Sequence, residues 1–316
     1  MKKIFSCLNG LCFGLLLSSL LGGILMTDAD KKVLEEKQKQ IAALPKGTQV
    51  ILDQSYSESN FAGTKFGSAQ NLDLYVPPGE GPFPLILWIH GGGWHSGAKD
   101  LCSVGRWIPA GFAIASVNYR LTVDTPFPAQ IEDCFSALIW LRQNSNKYKI
   151  DPNKVVVSGH SAGAHLAALV AFTGNTEAFV KKSDVSTQVQ AASLWSGPYD
   201  FDRDNGCWPK TTMVWNPSDL FAKCFFPSGA YEIEFAKKAS PINYVRSGLP
   251  PIMILHGEKD DIVTQKHATL LHEALTKQGN QVLLDIQPGK DHSTVFNDAT
   301  FQKTIDFFKK SLQDKK

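Results

Sequence analysis

Five residues, Gly159-His160-Ser161-Ala162-Gly163, stand between a β-branched run and a run of strong helix formers, a junction that few folds accommodate. Upstream, Lys154-Val155-Val156-Val157-Ser158 reads as a short buried strand. Downstream, Ala164-His165-Leu166-Ala167-Ala168-Leu169-Val170 reads as a helix. A G-x-S-x-G between strand and helix is the sharp turn that lifts a serine hydroxyl clear of a sheet. Glycine is needed at both ends, because a side chain there would strike the neighbouring strand and helix. Ser161 then sits at a helix N-terminus, where amide N–H groups and the dipole favour developing negative charge. The context predicts a catalytic serine; the bland alternative is an ordinary Gly-Ser turn.

A second glycine cluster follows another apolar run. Pro84-Leu85-Ile86-Leu87-Trp88-Ile89 reads as a buried strand, and His90-Gly91-Gly92-Gly93-Trp94 comes directly after it. Glycines in that place leave N–H groups free to point at one oxygen atom. Acyl transfer needs such donors for its tetrahedral intermediate, and losing one typically costs about 100- to 1,000-fold in rate. The amides of Gly92, Gly93 and Ala162 are expected to form this hole. The competing readings are a flexible turn and a phosphate-binding loop. No Lys-Ser/Thr follows the glycines and no G-x-G-x-x-G spacing occurs, which argues against a nucleotide.

The acid and the base are expected downstream, in the order Ser, acid, His. Pro251 to Leu255 is strand-like and leads into His256-Gly257-Glu258-Lys259-Asp260-Asp261-Ile262-Val263. Gln281 to Ile286 is strand-like and leads into Pro288-Gly289-Lys290-Asp291-His292-Ser293. Both segments follow C-terminal strand ends, where open α/β sheets place their ligands. Asp260 is the expected acid, with Asp261 and Glu258 behind it, and His292 the expected base. His90 and His256, at strand ends, read as structural. His267 and His272, within the helical stretch 265–278, read as solvated, and neither His95 nor His160 has an assigned proton to move. No H-E-x-x-H or C-x-x-C occurs, so no metal is expected.

The chain resembles the α/β-hydrolases of the hormone-sensitive-lipase-like and bacterial feruloyl-esterase-like carboxylesterase branch. The stretches that carry the resemblance are His90 to Trp94, Val117-Asn118-Tyr119-Arg120-Leu121, Phe127-Pro128-Ala129-Gln130-Ile131-Glu132-Asp133, Gly159 to Gly163, and His256-Gly257 with Asp260 and Val263. They fall within residues 72–296. Ala164 departs from the pattern, since many relatives carry another glycine there. The resemblance implies ester hydrolysis by Ser161, Asp260 and His292 without a cofactor, and leaves the ester open. Short acyl groups are expected, because nothing resembles a long apolar tunnel. The alternatives are an exported serine peptidase of the same superfamily and a catalytically silent binding module.

Alternating strand and helix runs argue for a mostly parallel sheet covered on both faces, with 316 residues used as one hydrolase domain over 30–316. A net charge of +2, with no basic run interleaved with aromatics, implies no nucleic-acid partner. At the N-terminus, Lys2 and Lys3 precede an uncharged stretch over 4–27. Residues 1–29 therefore read as an export signal or, uncleaved, as a membrane anchor. Asp30 to Leu44 reads as a short surface helix or tether.

The connection from Tyr199 to Lys238 holds Trp208, Trp215, Phe221, Phe225 and Phe226. A connection of that length inside a compact domain is usually functional, and it reads as a lid. The alternative is a hydrophobic cluster that only covers the sheet. Trp94, Trp208 and Trp215 are the expected substrate contacts. Cys207 and Cys224 can close a short disulfide ring in an exported chain, whereas Cys134, on the apolar face of the helix 131–142, reads as a buried thiol.

Overall fold

A computed structural model describes residues 28–59, 70–181, 183–208 and 225–313. Its strands are β1 (Gln49–Ser55), β2 (Asn71–Val76), β3 (Phe83–Ile89), β4 (Ala113–Val117), β5 (Ile150–His160), β6 (Ala191–Trp195), β7 (Ile252–Gly257) and β8 (Val282–Gln287). The helices are α1 (Asp28–Ala42), the one-turn α2 (Val104–Trp107), α3 (Ala129–Gln143), α4 (Ala162–Thr173), α5 (Ile233–Ala239), α6 (Lys266–Lys277) and α7 (Asp298–Gln313). All eight strands join one sheet in the order β1-β2-β4-β3-β5-β6-β7-β8. Only β2 opposes its neighbours; from β4 through β8 every pairing is parallel. This is the mostly parallel, doubly covered sheet that the alternating runs imply.

Parallel strands buried on both faces read as continuous apolar runs, and β2, β4, β6 and β7 are buried along their whole length. Two cores result. One lies under α3, α4 and α6 and takes Leu85, Leu87 and Ile89 from β3. The other lies under α2 and α7 and takes Ile86 and Trp88 from the same strand. The two-residue period of β3 divides its side chains between the layers. α4 is buried on every side, which explains a sequence with no polar face. α6 and α7 bury one stripe each, Ala268, Leu271 and Leu275 in the first and Phe301, Ile305 and Phe308 in the second.

The stretch expected as a surface helix or tether is α1, and it is fastened to the body by charge. Lys37 reaches Asp73 of β2 at 2.6 Å and also pairs with Asp100. Lys99 meets Asp53 at 2.8 Å and Asp73 at 3.1 Å. Three carboxylates thus surround two ammonium groups, and Asp73, Lys99 and Asp100 are buried. Lys99 and Asp100 lie on the chain that leads away from the His90 to Trp94 loop. The expected signal or anchor lies almost wholly outside the described residues. Among the described residues no helix is long and apolar enough to cross a membrane.

Removing one partner from a buried ion cluster leaves uncompensated charge. Lys37→Met is expected to cost on the order of 3 kcal/mol in urea unfolding at neutral pH. Burial alone would raise the Asp100 carboxyl, but Lys99 and Lys37 hold it below the usual carboxylate range. Its contribution is therefore complete above that range and is lost as pH falls through the depressed value. The variant should accordingly unfold at a higher pH than the parent in an acid titration. An unchanged urea midpoint and an unchanged acid midpoint would show that Lys37 merely lies beside the cluster.

Candidate active site

Ser161 caps α4 with φ 56° and ψ −122°, a backbone that side-chain-bearing residues rarely adopt. The glycines around it are obligatory. A Cβ on Gly159 would lie 2.4 Å from the Gly163 carbonyl oxygen, and one on Gly163 would lie 2.1 Å from that of Ile89. The Ser161 N–H donates to the Trp195 carbonyl at 2.8 Å, while its own carbonyl accepts from the amides of Ala164 and His165. Its backbone is thereby held from both sides, leaving the side chain at the sheet edge. The extra methyl of Ala164 is accommodated at Gly197, where a Cβ would stand 2.6 Å from the Ala164 Cβ.

β3 neighbours β5, so the His90 to Trp94 loop lies against the serine. A Cβ on Gly91 would stand 3.3 Å from the Ser161 Cβ. Gly92 and Gly93 have φ of 114° and 59°, which glycine adopts without strain. The Gly92 carbonyl is turned away, accepting from the Ser96 amide and hydroxyl at 3.0 and 2.8 Å. Among the described residues no carbonyl accepts from the amides of Gly92, Gly93 or Ala162. His90 is structural, as expected. Its ring stacks on Tyr119, and burial lowers its pKa to about 4.

Asp260 and His292 follow β7 and β8, themselves neighbours. His292 Nδ1–H donates to Asp260 Oδ2 at 2.7 Å. The other carboxylate oxygen accepts from the amides of Ile262 and Val263 at 3.0 and 2.8 Å. Burial would raise the Asp260 carboxyl, but the His256 and His292 bonds hold it well below the carboxylate range. Asp261, next to it, is exposed. His256, expected to be only structural, has Nε2 at 3.2 Å from Asp260 Oδ2 as well as donating to the Val263 carbonyl at 2.7 Å. No motif separates such a histidine from an ordinary one at a strand end.

Three other expectations meet the structure differently. His267 is not solvated: it is buried, its Nδ1 accepts from the Tyr199 amide at 3.3 Å, and its ring meets Trp208. Helical position alone concealed that it faces the body. Trp94 and Trp208 are buried with their indole N–H groups engaged, Trp94 to His165 Nδ1 at 3.0 Å and Trp208 to the Asp200 carbonyl at 2.7 Å. Trp215 lies outside the described residues, as does Phe221. In the described parts of the connection 199–238, Phe201 stacks on Phe225, which meets Trp94 and Phe127. Cys207 is a buried free thiol here and Cys224 lies outside the described residues. Cys134 is buried, as expected, and burial pushes its thiol upward.

A model of the BD-FAE family matches residues 72–275. Among solved structures, a truncated carbohydrate esterase from gut microbiota is 25% identical with a TM-score of 0.75, covering 86% of this chain and 99% of its own. Esterase 2 of Thermogutta terrifontis, solved with butyrate bound, is 26% identical with a TM-score of 0.64, covering 85% and 94%. Esterase LipQ of Mycobacterium tuberculosis is 32% identical over 226 residues, 67% of this chain and 51% of that protein. The chain spans about half the length of such curated relatives.

The tie between His292 and Asp260 has a direct signature. A neutral or protonated imidazole donating to a buried carboxylate should give a strongly downfield Nδ1–H proton signal. Asp260→Asn should remove or shift it, whereas Asp261→Asn should leave it in place. Loss of the signal in the second variant alone would put the acid one residue later.

Proposed function

The chain belongs to the BD-FAE family, and from that premise we propose that it is a serine carboxylesterase removing short acyl groups from carbohydrate-linked or other small dissolved esters. The observation that carries the reading is the 2.7 Å pair of His292 and an ionised Asp260, delivered to the same sheet edge as the strained Ser161 turn. Few purely structural roles call for all three.

In this reading His292 Nε2 takes the Ser161 proton as Oγ attacks the ester carbonyl carbon. Asp260 accepts from Nδ1, which fixes the tautomer that leaves Nε2 basic and then stabilises the imidazolium. The amides of Gly92, Gly93 and Ala162 receive the negative oxygen of the tetrahedral intermediate. His292 returns the proton to the leaving alcohol, and an acyl-Ser161 remains. Water, losing a proton to the same nitrogen, then releases the acid and restores the hydroxyl. No cofactor takes part in this sequence.

The substrate class is supported from two sides. One solved relative is a carbohydrate esterase, and another holds butyrate. Trp94 and Trp208 have their N–H groups occupied, so they would meet substrate through ring surface alone. A lid role for 199–238 remains part of the proposal. So do export by residues 1–29, with attachment through 4–27 if they are retained, and a single hydrolase domain over 30–316.

Ser161→Ala should lower hydrolysis of p-nitrophenyl acetate by at least about 1,000-fold without changing the circular-dichroism melt. Activity above a hundredth of the parent would remove Ser161 from the nucleophile's role. On a panel including acetylated xylan, methyl ferulate and p-nitrophenyl esters, kcat/KM should be higher for acetate and butyrate than for decanoate. A preference for decanoate would overturn the short-acyl assignment.

A further inference from the structure

The base reaches the nucleophile across a considerable distance. β8 lies three strands from β5, roughly 14 Å at ordinary strand spacing, so the segment after β8 must run back along the sheet edge. Its crossing is marked by contacts. The Lys259 amide donates to the Lys290 carbonyl at 2.8 Å. The segment then passes over Gly257, where a Cβ would lie 2.5 Å from the carbonyl oxygens of both Lys290 and Asp291. Asp260 takes the His292 ring above β7. Among the described residues, the remaining step, across β6 to the serine turn, is crossed by a hydrogen bond from one side chain.

That side chain is His160, the residue before the nucleophile. Its Nε2–H donates to the His292 carbonyl at 2.8 Å, and the two rings lie 4.7 Å apart. On its far side, a Cβ on Gly91 would stand 3.3 Å from His160 Nδ1, so the bare Gly91 gives the imidazole its room. Phe296 closes over the ring at 4.7 Å and continues onto Trp195 at the end of β6. One imidazole therefore touches the glycine loop and the base segment while belonging to the serine turn itself.

Resting on the esterase reading, we infer that His160 is a positioning residue that sets the His292 imidazole against Ser161 by holding the His292 backbone. The bond is made to the main chain and so leaves both His292 ring nitrogens to Asp260 and the reaction. It requires a proton on His160 Nε2, which the neutral Nε2–H tautomer and the imidazolium both carry. Burial first, and then His292, lower its pKa to about 4, with His256 acting the same way and Asp260 opposing. His160 therefore remains a fixed donor while His292 exchanges protons beside it.

The test compares His160→Leu with His160→Gln, whose amide N–H can occupy the Nε2 position. With p-nitrophenyl acetate, His160→Leu should lose about 10- to 100-fold in kcat, the scale of a misplacement near 1 Å, with KM within about threefold. His160→Gln should recover most of that loss. In histidine-labelled nitrogen NMR, the parent should show a neutral Nε2–H ring that stays unprotonated until about pH 4, and His160→Leu should shift the His292 ring signals. A His160→Leu enzyme with kcat within twofold of the parent would overturn the inference, as would a glutamine variant no better than leucine. So would unchanged His292 signals, and this arm reads the contact even in a protein that cleaves no ester. Inactivity of the parent on every ester would instead remove the esterase reading.

Discussion

The close approach of the serine turn to β3 governs the rest of the site. The distance from a would-be Gly163 side chain to the Ile89 carbonyl, 2.1 Å, admits no carbon atom. Because the turn lies so near β3, the loop that leaves β3 brings Gly91 beside Ser161. The φ of 56° at Ser161 is the cost of that compression, and backbone bonds to Trp195, Ala164 and His165 maintain it. A stable parallel sheet can hold such a turn because its neighbouring strands are themselves buried on both faces. Strain of this kind, of order 1–3 kcal/mol, persists only where the surroundings over-determine it.

The opposite half of the site depends on polar ties more than on compression. Asp260 is buried yet ionised, since two amides and two imidazoles meet its oxygens. Its charge sets the His292 ring, while the chain carrying that ring is held at Gly257 by close passage and at His160 by a hydrogen bond. Stability and chemistry are linked here. In the proposed mechanism, each contact that keeps this segment at the strand ends would also set the distance between His292 and Ser161.

Much of this was legible in the sequence, and particular residues show why the rest was not. The serine turn, the glycine loop and the segments that carry Asp260 and His292 are written as contiguous patterns, because each occupies one strand end. Strands with apolar runs, such as β3 and β7, were equally plain. β4 was not: Ala113-Ile114-Ala115-Ser116-Val117 is short and small-residued, and it reads as a strand only beside β2 and β3. α7 carries Phe301, Ile305 and Phe308 at helical spacing but no motif that would draw attention to it. Lys37 and the orientation of His267 depend on partners dozens of residues away. His160 occupies the variable position of its motif, so its contact with His292, 132 residues later, exists only in three dimensions.

The central claim is that Ser161 carries the acyl group between the two halves of the reaction. Rapid-quench intact mass spectrometry with excess p-nitrophenyl acetate measures that directly. A transient increase of one acetyl group is expected within the first turnovers, mapping to the peptide that contains Ser161 and absent from Ser161→Ala. Continued turnover with no adduct under any quench condition, or an acetyl group mapping to another residue, would contradict the account.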